Sequence, residues 1–115
     1  MHTIGVVVTV YNLQDYIEDC VNSILKQEYG KLDIVIVDDG STDASPAICD
    51  RIAKQDKRVR VIHQSNQGPI MARLNGANAL STQYISFIDG DDWIKTELYS
   101  DIVKSGYLGK ADIID

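Results

Sequence analysis

The sequence predicts an α/β protein, a three-layer α/β/α sandwich with a Rossmann-like, largely parallel sheet. Three observations carry this expectation. Short apolar runs alternate with amphipathic segments along the whole chain. The runs are continuous rather than alternating, the pattern of strands buried on both faces. The connections are short, which suits right-handed crossovers between neighbouring parallel strands.

The first strand is expected at Ile4 to Val10. Leu13, Tyr16, Ile17, Cys20, Val21, Ile24 and Leu25 then recur at three-and-four spacing, so a helix should follow with Asn12 as its N-cap. Leu32 to Val37 is the second strand. Ser41-Thr42-Asp43 opens a second helix carrying Ala44, Ala47, Ile48 and Ile52, with Pro46 tolerated in its first turn. Val59 to His63 reads as a third strand. Gly68-Pro69 precedes a third helix whose apolar residues are Ile70, Met71, Leu74, Ala77 and Leu80, and Gln83 to Ile88 is the fourth strand. Thr96 to Lys104 is predicted helical. Ala111 to Asp115 reads as a strand that stops at the chain end, so the expectation is a truncated fold, one part of a longer protein.

The totals narrow the function. With 115 residues, 44% of them hydrophobic, the chain can build one domain with a real core. At net charge −6 and without a basic block, it is a poor partner for nucleic acid or an anionic membrane. Lys57, Arg58 and Arg60 form only a short solvated group. No stretch is long enough to span a bilayer, and no secretory signal is recognisable. Cys20 and Cys49 fall at apolar helix positions and are read as small buried hydrophobes, which implies a reducing, cytoplasmic location. His2 and His63 are isolated, and ordinary terminal or strand-end roles are expected for them.

The acids give the strongest signal. Asp38-Asp39-Gly40-Ser41 directly follows the second strand, and Asp89-Gly90-Asp91-Asp92 directly follows the fourth. Ligands of parallel sheets sit beyond the carboxyl ends of the strands, so both acidic turns should meet at one edge. Carboxylates gathered there repel one another unless a hard cation or a set of donors shares their charge. Asp89 and Asp91, two residues apart in a turn, suit Mg²⁺ or Mn²⁺ completed by water and phosphate oxygens, and Gly90 would let a bulky anion approach the backbone. Each acidic turn alone is better explained by turn and cap chemistry; their shared placement favours a site. Thr9, Tyr11 and Asn12 end the first strand at the same edge and offer a hydroxyl, an aromatic face and an amide to a nucleotide base. Asp92 reads as the start of the next turn, since three carboxylates on one ion would leave little room for phosphate oxygens and water. Trp93 reads as a core or edge-packing aromatic.

Val6-Val7-Val8-Thr9-Val10-Tyr11-Asn12, Val37-Asp38-Asp39-Gly40-Ser41-Thr42-Asp43, Asn66-Gln67-Gly68, Ala72-Arg73-Leu74-Asn75-Gly76 and Ile88-Asp89-Gly90-Asp91-Asp92, in that order, resemble the inverting family-2 glycosyltransferases with the GT-A fold. The resemblance covers nearly the whole chain. It implies transfer of a sugar from a nucleoside-diphosphate sugar, a UDP-sugar by preference, to a saccharide or lipid-linked acceptor hydroxyl with inversion. By position, Thr9, Tyr11 and Asp39 match residues holding the uracil and ribose, with Asp38 as a supporting neighbour. Asp89 and Asp91 match the Asp-X-Asp motif, the first near the ribose and the second on the Mn²⁺ or Mg²⁺. Arg73 matches less specifically: it reaches the nucleotide or makes a surface ion pair.

Residues 1–115 are therefore expected to be the nucleotide-sugar-binding part. The acceptor part and the acidic catalytic base are expected beyond residue 115, and the fragment alone should not complete transfer. In the full-length protein, a place at the inner face of the membrane is the corresponding expectation. Two rival classes are a nucleotide-sugar-binding module without catalysis and a receiver-like phosphoacceptor signalling domain. The latter should carry its acidic pair after the first strand, where this chain has Thr9-Val10-Tyr11-Asn12. A sugar-nucleotide pyrophosphorylase would need a glycine-rich basic loop there, which is missing.

Overall fold

The computed structural model describes residues 2–106 and the backbone of Ile113–Ile114. Five strands, β1 (Ile4–Val10), β2 (Leu32–Asp39), β3 (Val59–Gln64), β4 (Tyr84–Asp89) and β5 (Ile113–Ile114), form one sheet in the order β3-β2-β1-β4-β5. Every neighbouring pair is parallel. Four helices connect or follow them: α1 (Ile17–Leu25), α2 (Ser45–Gln55), α3 (Pro69–Asn78) and α4 (Leu98–Lys104). The strand order reverses between β1 and β4, and this switch point is where such sheets open a crevice.

The continuous apolar runs are explained by cover on both faces. Val6, Val8 and Val10 of β1 point with Ile34 and Ile36 of β2 into a core closed by α1, α2 and Tyr99 of α4. Val7, Val35 and Val37 point the other way, into a thinner layer under α3. Among the described residues, no helix is long and apolar enough to cross a membrane. Cys20 and Cys49 are buried and free. Burial is the main cause that pushes both thiols up to about 12, and Asp92, Asp91 and Asp89 add to it at Cys20.

Strand positions follow the sequence expectations within a residue or two. Of the expected last strand, Ile113–Ile114 pairs with Ile85 and Ser86, while residues 111, 112 and 115 lie outside those described. Helix details differ: α2 begins at Ser45 with Ala44 as its N-cap, so Ser41-Thr42-Asp43 lie ahead of it rather than opening it, and α1 and α3 depart from expectation in two further ways. α1 begins at Ile17, and Asn12 is not its N-cap. Asn12 instead takes a left-handed φ of 51°, and its side chain turns to the neighbouring loop. A short polar side chain that can bond locally tolerates this conformation better than most.

The last difference concerns α3. Ile70, Met71 and Leu74, among the apolar residues that mark this helix in the sequence, are exposed, Ile70 by 79%. Ala72 and Gly76 are the buried residues of this helix. Small residues win because α3 lies close on the sheet: a Cβ at Gly76 would stand 2.5 Å from Val7 Cγ1 and 3.0 Å from Val37 Cγ2. Val7 and Val37 are fully buried, β-branched strand residues with little freedom to move aside. Gly76→Ala should therefore destabilise the protein by about 1–2 kcal/mol despite alanine's better helix propensity. Urea unfolding of the variant measures this; an unchanged or raised midpoint would contradict the close packing.

Candidate functional site

The C-terminal ends of β1, β2 and β4 are brought level by register. Val10 pairs with Asp38, and Thr9 pairs with Asp89. At this edge an open crevice of about 370 Å³ is lined by Thr9, Tyr11, Asp39, Gly68, Asp89 and Asp91, among others. The two acidic turns, fifty residues apart in sequence, thus share one concavity. Tyr11 is half exposed on its wall, at 49%.

The two loops nearest β1 and β2 hold each other in place. The backbone N–H groups of Asn12, Leu13 and Gln14 donate to Ser41 Oγ, Ser45 Oγ and Asp43 Oδ2 at 3.0, 3.0 and 3.2 Å. In return, Asn12 Oδ1 accepts from the Thr42 N–H at 2.8 Å and Gln14 Oε1 from the Ala44 N–H at 2.9 Å. Ser41, Thr42 and Asp43, read from sequence as helix-opening residues, precede the first residue of α2, Ser45, and bind the loop after β1. Burial pushes the Asp43 carboxyl up, but donors from Ser45 and Gln14 outweigh it and hold it below its ordinary value.

Asp38 and Asp39 have different surroundings. Asp39 is only 5% exposed. Its Oδ1 accepts from Gln64 Nε2 at 2.9 Å and the Gln67 N–H at 2.8 Å, and its Oδ2 from the Gly68 N–H at 3.1 Å. Asn75 Nδ2 in turn donates to Gln64 Oε1 at 2.7 Å, fixing that amide. Burial raises the Asp39 carboxyl, yet the Gln67, Gln64 and Gly68 donors together hold it below the usual carboxylate range. Asp38 turns away from the crevice: it accepts from the Ser41 N–H at 3.1 Å and meets His63 Nδ1 at 2.8 Å. The bonded role of His63 was not legible in a sequence with only two isolated histidines.

At the end of β4, Asp89 collects three neighbours. The Thr9 hydroxyl donates to its Oδ1 at 3.3 Å, Arg73 Nη2 lies 3.6 Å from the same oxygen, and the Cys20 thiol donates to its carbonyl at 3.6 Å. Arg73 thus makes the ion pair that was one of its two expected roles, and the pair sits at the rim of the site. The Asp92 N–H donates to the Asp89 carbonyl at 3.0 Å and closes the turn. Carboxylate oxygens of Asp89, Asp91 and Asp92 can come within 4.8 Å of one another, all exposed. Asp92, set apart from the other two on sequence, therefore belongs to the same cluster. Three hard oxygen donors with water access fit Mg²⁺ or Mn²⁺, which keep part of their shell for water and phosphate.

Two expectations are corrected here. Gly90 is buried, and its missing side chain serves the chain itself: a Cβ would meet the Thr9 carbonyl at 2.8 Å and Leu13 and Val10 side-chain carbons at 3.1 Å. The Gly90 N–H also donates to the Thr9 carbonyl at 2.8 Å, so the glycine lets the turn close on β1 rather than admitting an anion. Of the two roles expected of Trp93, core or edge packing, the first is excluded. The residue is 70% exposed and stands between two further concavities flanking the acidic turn.

Sheet order and the acidic edge define a Rossmann-like α/β/α domain of the GT-A type. Residues 5–114 match the model of the family described as glycosyl transferase family 2. The chain belongs to that family. It is 42% identical over 110 residues to glycosyltransferase GlyA of Streptococcus pneumoniae serotype 4, covering 96% of this chain and 16% of that protein. It is 41% identical over 112 residues to glycosyltransferase GlyG of the same organism, covering 96% of this chain and 37% of the relative. Among solved structures, S. aureus TarS 1–349 in complex with UDP-GlcNAc superposes with a TM-score of 0.82 at 28% identity, over 89% of this chain and 30% of that one. The mannosyltransferase PcManGT from Pyrobaculum calidifontis, in complex with GDP-Man and Mn²⁺, gives 0.81 at 25% identity, over 90% and 32%. The chain spans well under half the length of each of these proteins.

Proposed function

We propose that residues 1–115 form the nucleotide-sugar-binding part of a metal-dependent, inverting glycosyltransferase that uses a UDP-sugar, with its acceptor part and acidic catalytic base encoded further along the chain. The carrying observation is the convergence of Thr9, Tyr11, Asp39, Asp89 and Asp91 on one crevice at the switch point. Tyr11 stacks on the base, Asp39 accepts from it, Thr9 and Asp89 meet the ribose, Asp91 holds the cation with Asp89, and Arg73 reaches the diphosphate. When bound, a divalent ion supplies charge neutralisation at the departing diphosphate. The acceptor is a saccharide or lipid-linked hydroxyl.

Uracil is supported over guanine by the arithmetic of Asp39. An ionised carboxylate has about four acceptor positions. Gln64, Gln67 and Gly68 occupy three, leaving one on Oδ2. Uracil presents one ring N–H, whereas guanine presents two adjacent donors that would compete for that single position. Among the relatives, TarS was solved with UDP-GlcNAc and PcManGT with GDP-Man, so the fold serves both. Calorimetric titration of the protein with UDP-GlcNAc, GDP-Man and a CDP-sugar, each with and without Mn²⁺, tests the reading. Tightest binding is expected for the UDP-sugar with Mn²⁺; preference for GDP-Man would overturn the base assignment, and metal-independent affinity would overturn the role given to Asp91.

A further inference from the structure

His63, at the penultimate position of β3, lies between two carboxylates from two different elements. Its Nδ1 is 2.8 Å from Asp38 Oδ2 of β2, and its Nε2 is 2.8 Å from Asp50 Oδ1 of α2. A carboxylate only accepts, and a neutral imidazole has one N–H. Both contacts can be hydrogen bonds only when the ring carries both protons. The cationic form is therefore the one that fits this geometry. The bonds to Asp38 and Asp50, ahead of partial burial, accordingly raise His63 above its ordinary value of 6.5.

The two partners differ. The Asp38 side chain is 4% exposed, that of Asp50 56%. Near Asp38 and Asp50 lie Cys49 of α2, whose buried thiol is pushed up to about 12, and Asp43 just ahead of that helix, whose carboxyl is held by Ser45 and Gln14. Neither supplies a second cation for Asp38.

Asp38 connects His63 to the crevice without touching it. Its other oxygen accepts from the Ser41 N–H, Ser41 Oγ accepts from the Asn12 N–H, and Asn12 is the left-handed residue beside Tyr11. The neighbouring β2 position is Asp39 itself, whose sheet partner Gln64 follows His63. The same edge carries the carboxylates of Asp39, Asp89, Asp91 and Asp92, so a cation there also favours an anionic ligand.

We propose that protonated His63 is a positioning residue of the nucleotide-sugar site, holding Asp38 and through it the Ser41–Asn12–Tyr11 loop contact, so that binding weakens when the imidazole loses its proton. This rests on the nucleotide-sugar reading above. Deprotonation leaves one N–H for two carboxylates: buried Asp38 loses the cation that holds it, and the ring no longer ties β2 to α2 through both contacts. The effect follows the usual sign for a raised group. The contribution is complete below the ordinary histidine value and is lost as pH rises through the raised one.

The test uses UDP-GlcNAc with Mn²⁺, because its diphosphate diester has no proton to lose near neutrality. Calorimetry from mildly acidic to mildly alkaline pH should show affinity falling by about fivefold, the lower end of coupling between non-contacting sites. In His63→Gln the profile should be flat. Linkage makes the effect reciprocal, so the His63 ring titration followed by NMR in the wild type, with diamagnetic Mg²⁺ in place of Mn²⁺, must move upward by the same factor when UDP-GlcNAc saturates. Only two histidines have to be told apart, and that measurement does not depend on a variant folding. Binding with a flat profile and an unmoved His63 titration overturns this proposal alone. Absence of binding at every pH overturns the nucleotide-sugar reading, and this inference with it.

Discussion

Asp91→Ala is expected to abolish the Mn²⁺-dependent part of UDP-sugar binding, a loss on the order of 100-fold in affinity, while leaving the melting temperature unchanged. The asymmetry follows from where Asp91 sits. Its side chain is exposed on the turn after β4 and clusters with Asp89 and Asp92. Removing it relieves repulsion within that cluster, so the fold loses nothing. A cation shared by diphosphate and protein loses a ligand that the remaining acids cannot replace in position: Asp89 is already engaged by Thr9 and Arg73. Parallel calorimetry with and without Mn²⁺ reads the effect. Metal-dependent affinity preserved in Asp91→Ala would move the cation to Asp89 and Asp92 and remove the Asp-X-Asp assignment.

Asp39→Ala should damage both binding and stability. Its carboxylate is the common acceptor for the Gln64 amide and the N–H groups of Gln67 and Gly68, which anchors the loop between β3 and α3 to the end of β2. Without it these donors lose their partner, at a cost of about 2–3 kcal/mol. UDP-sugar affinity should fall with it, since the base loses its acceptor. Because the folded carboxyl lies below its ordinary value, the stability it contributes is present at neutral pH and is lost as pH falls through the folded value. Asp39→Asn, which keeps the shape but not the charge, should therefore flatten the acid limb of the stability curve. An acid limb identical to that of the wild type would locate the acid sensitivity elsewhere.

The strands and the acidic edge were legible because their signals are local. A run such as Ile34 to Val37 has few ways to be satisfied other than burial on both faces, and an acid that follows it must then sit at the strand end. What escaped was set by distance between elements. The buried face of α3 was not legible: its large apolar residues Ile70, Met71 and Leu74 are exposed, while the contact that decides the matter, Gly76 against Val7, joins residues far apart in sequence. Asn12 followed its propensity as a cap residue, yet Ser41 and Thr42 claimed its backbone and side chain from another loop. Gly90 was given to a ligand because the Thr9 carbonyl that fills its space comes from β1, far earlier in the sequence. His63 had no motif around it, and only folding sets it between Asp38 and Asp50.

The mutual capping of the loops after β1 and β2 has a thermodynamic consequence. Six bonds, all between groups of the chain itself, tie residues 12–14 to residues 41–45. A nucleotide arriving at Tyr11 and Asp39 therefore meets a wall that is already rigid, and little conformational entropy remains to be surrendered there. Differences in affinity between one nucleotide and another should then reflect the contacts themselves, with enthalpy separating them more than disorder does.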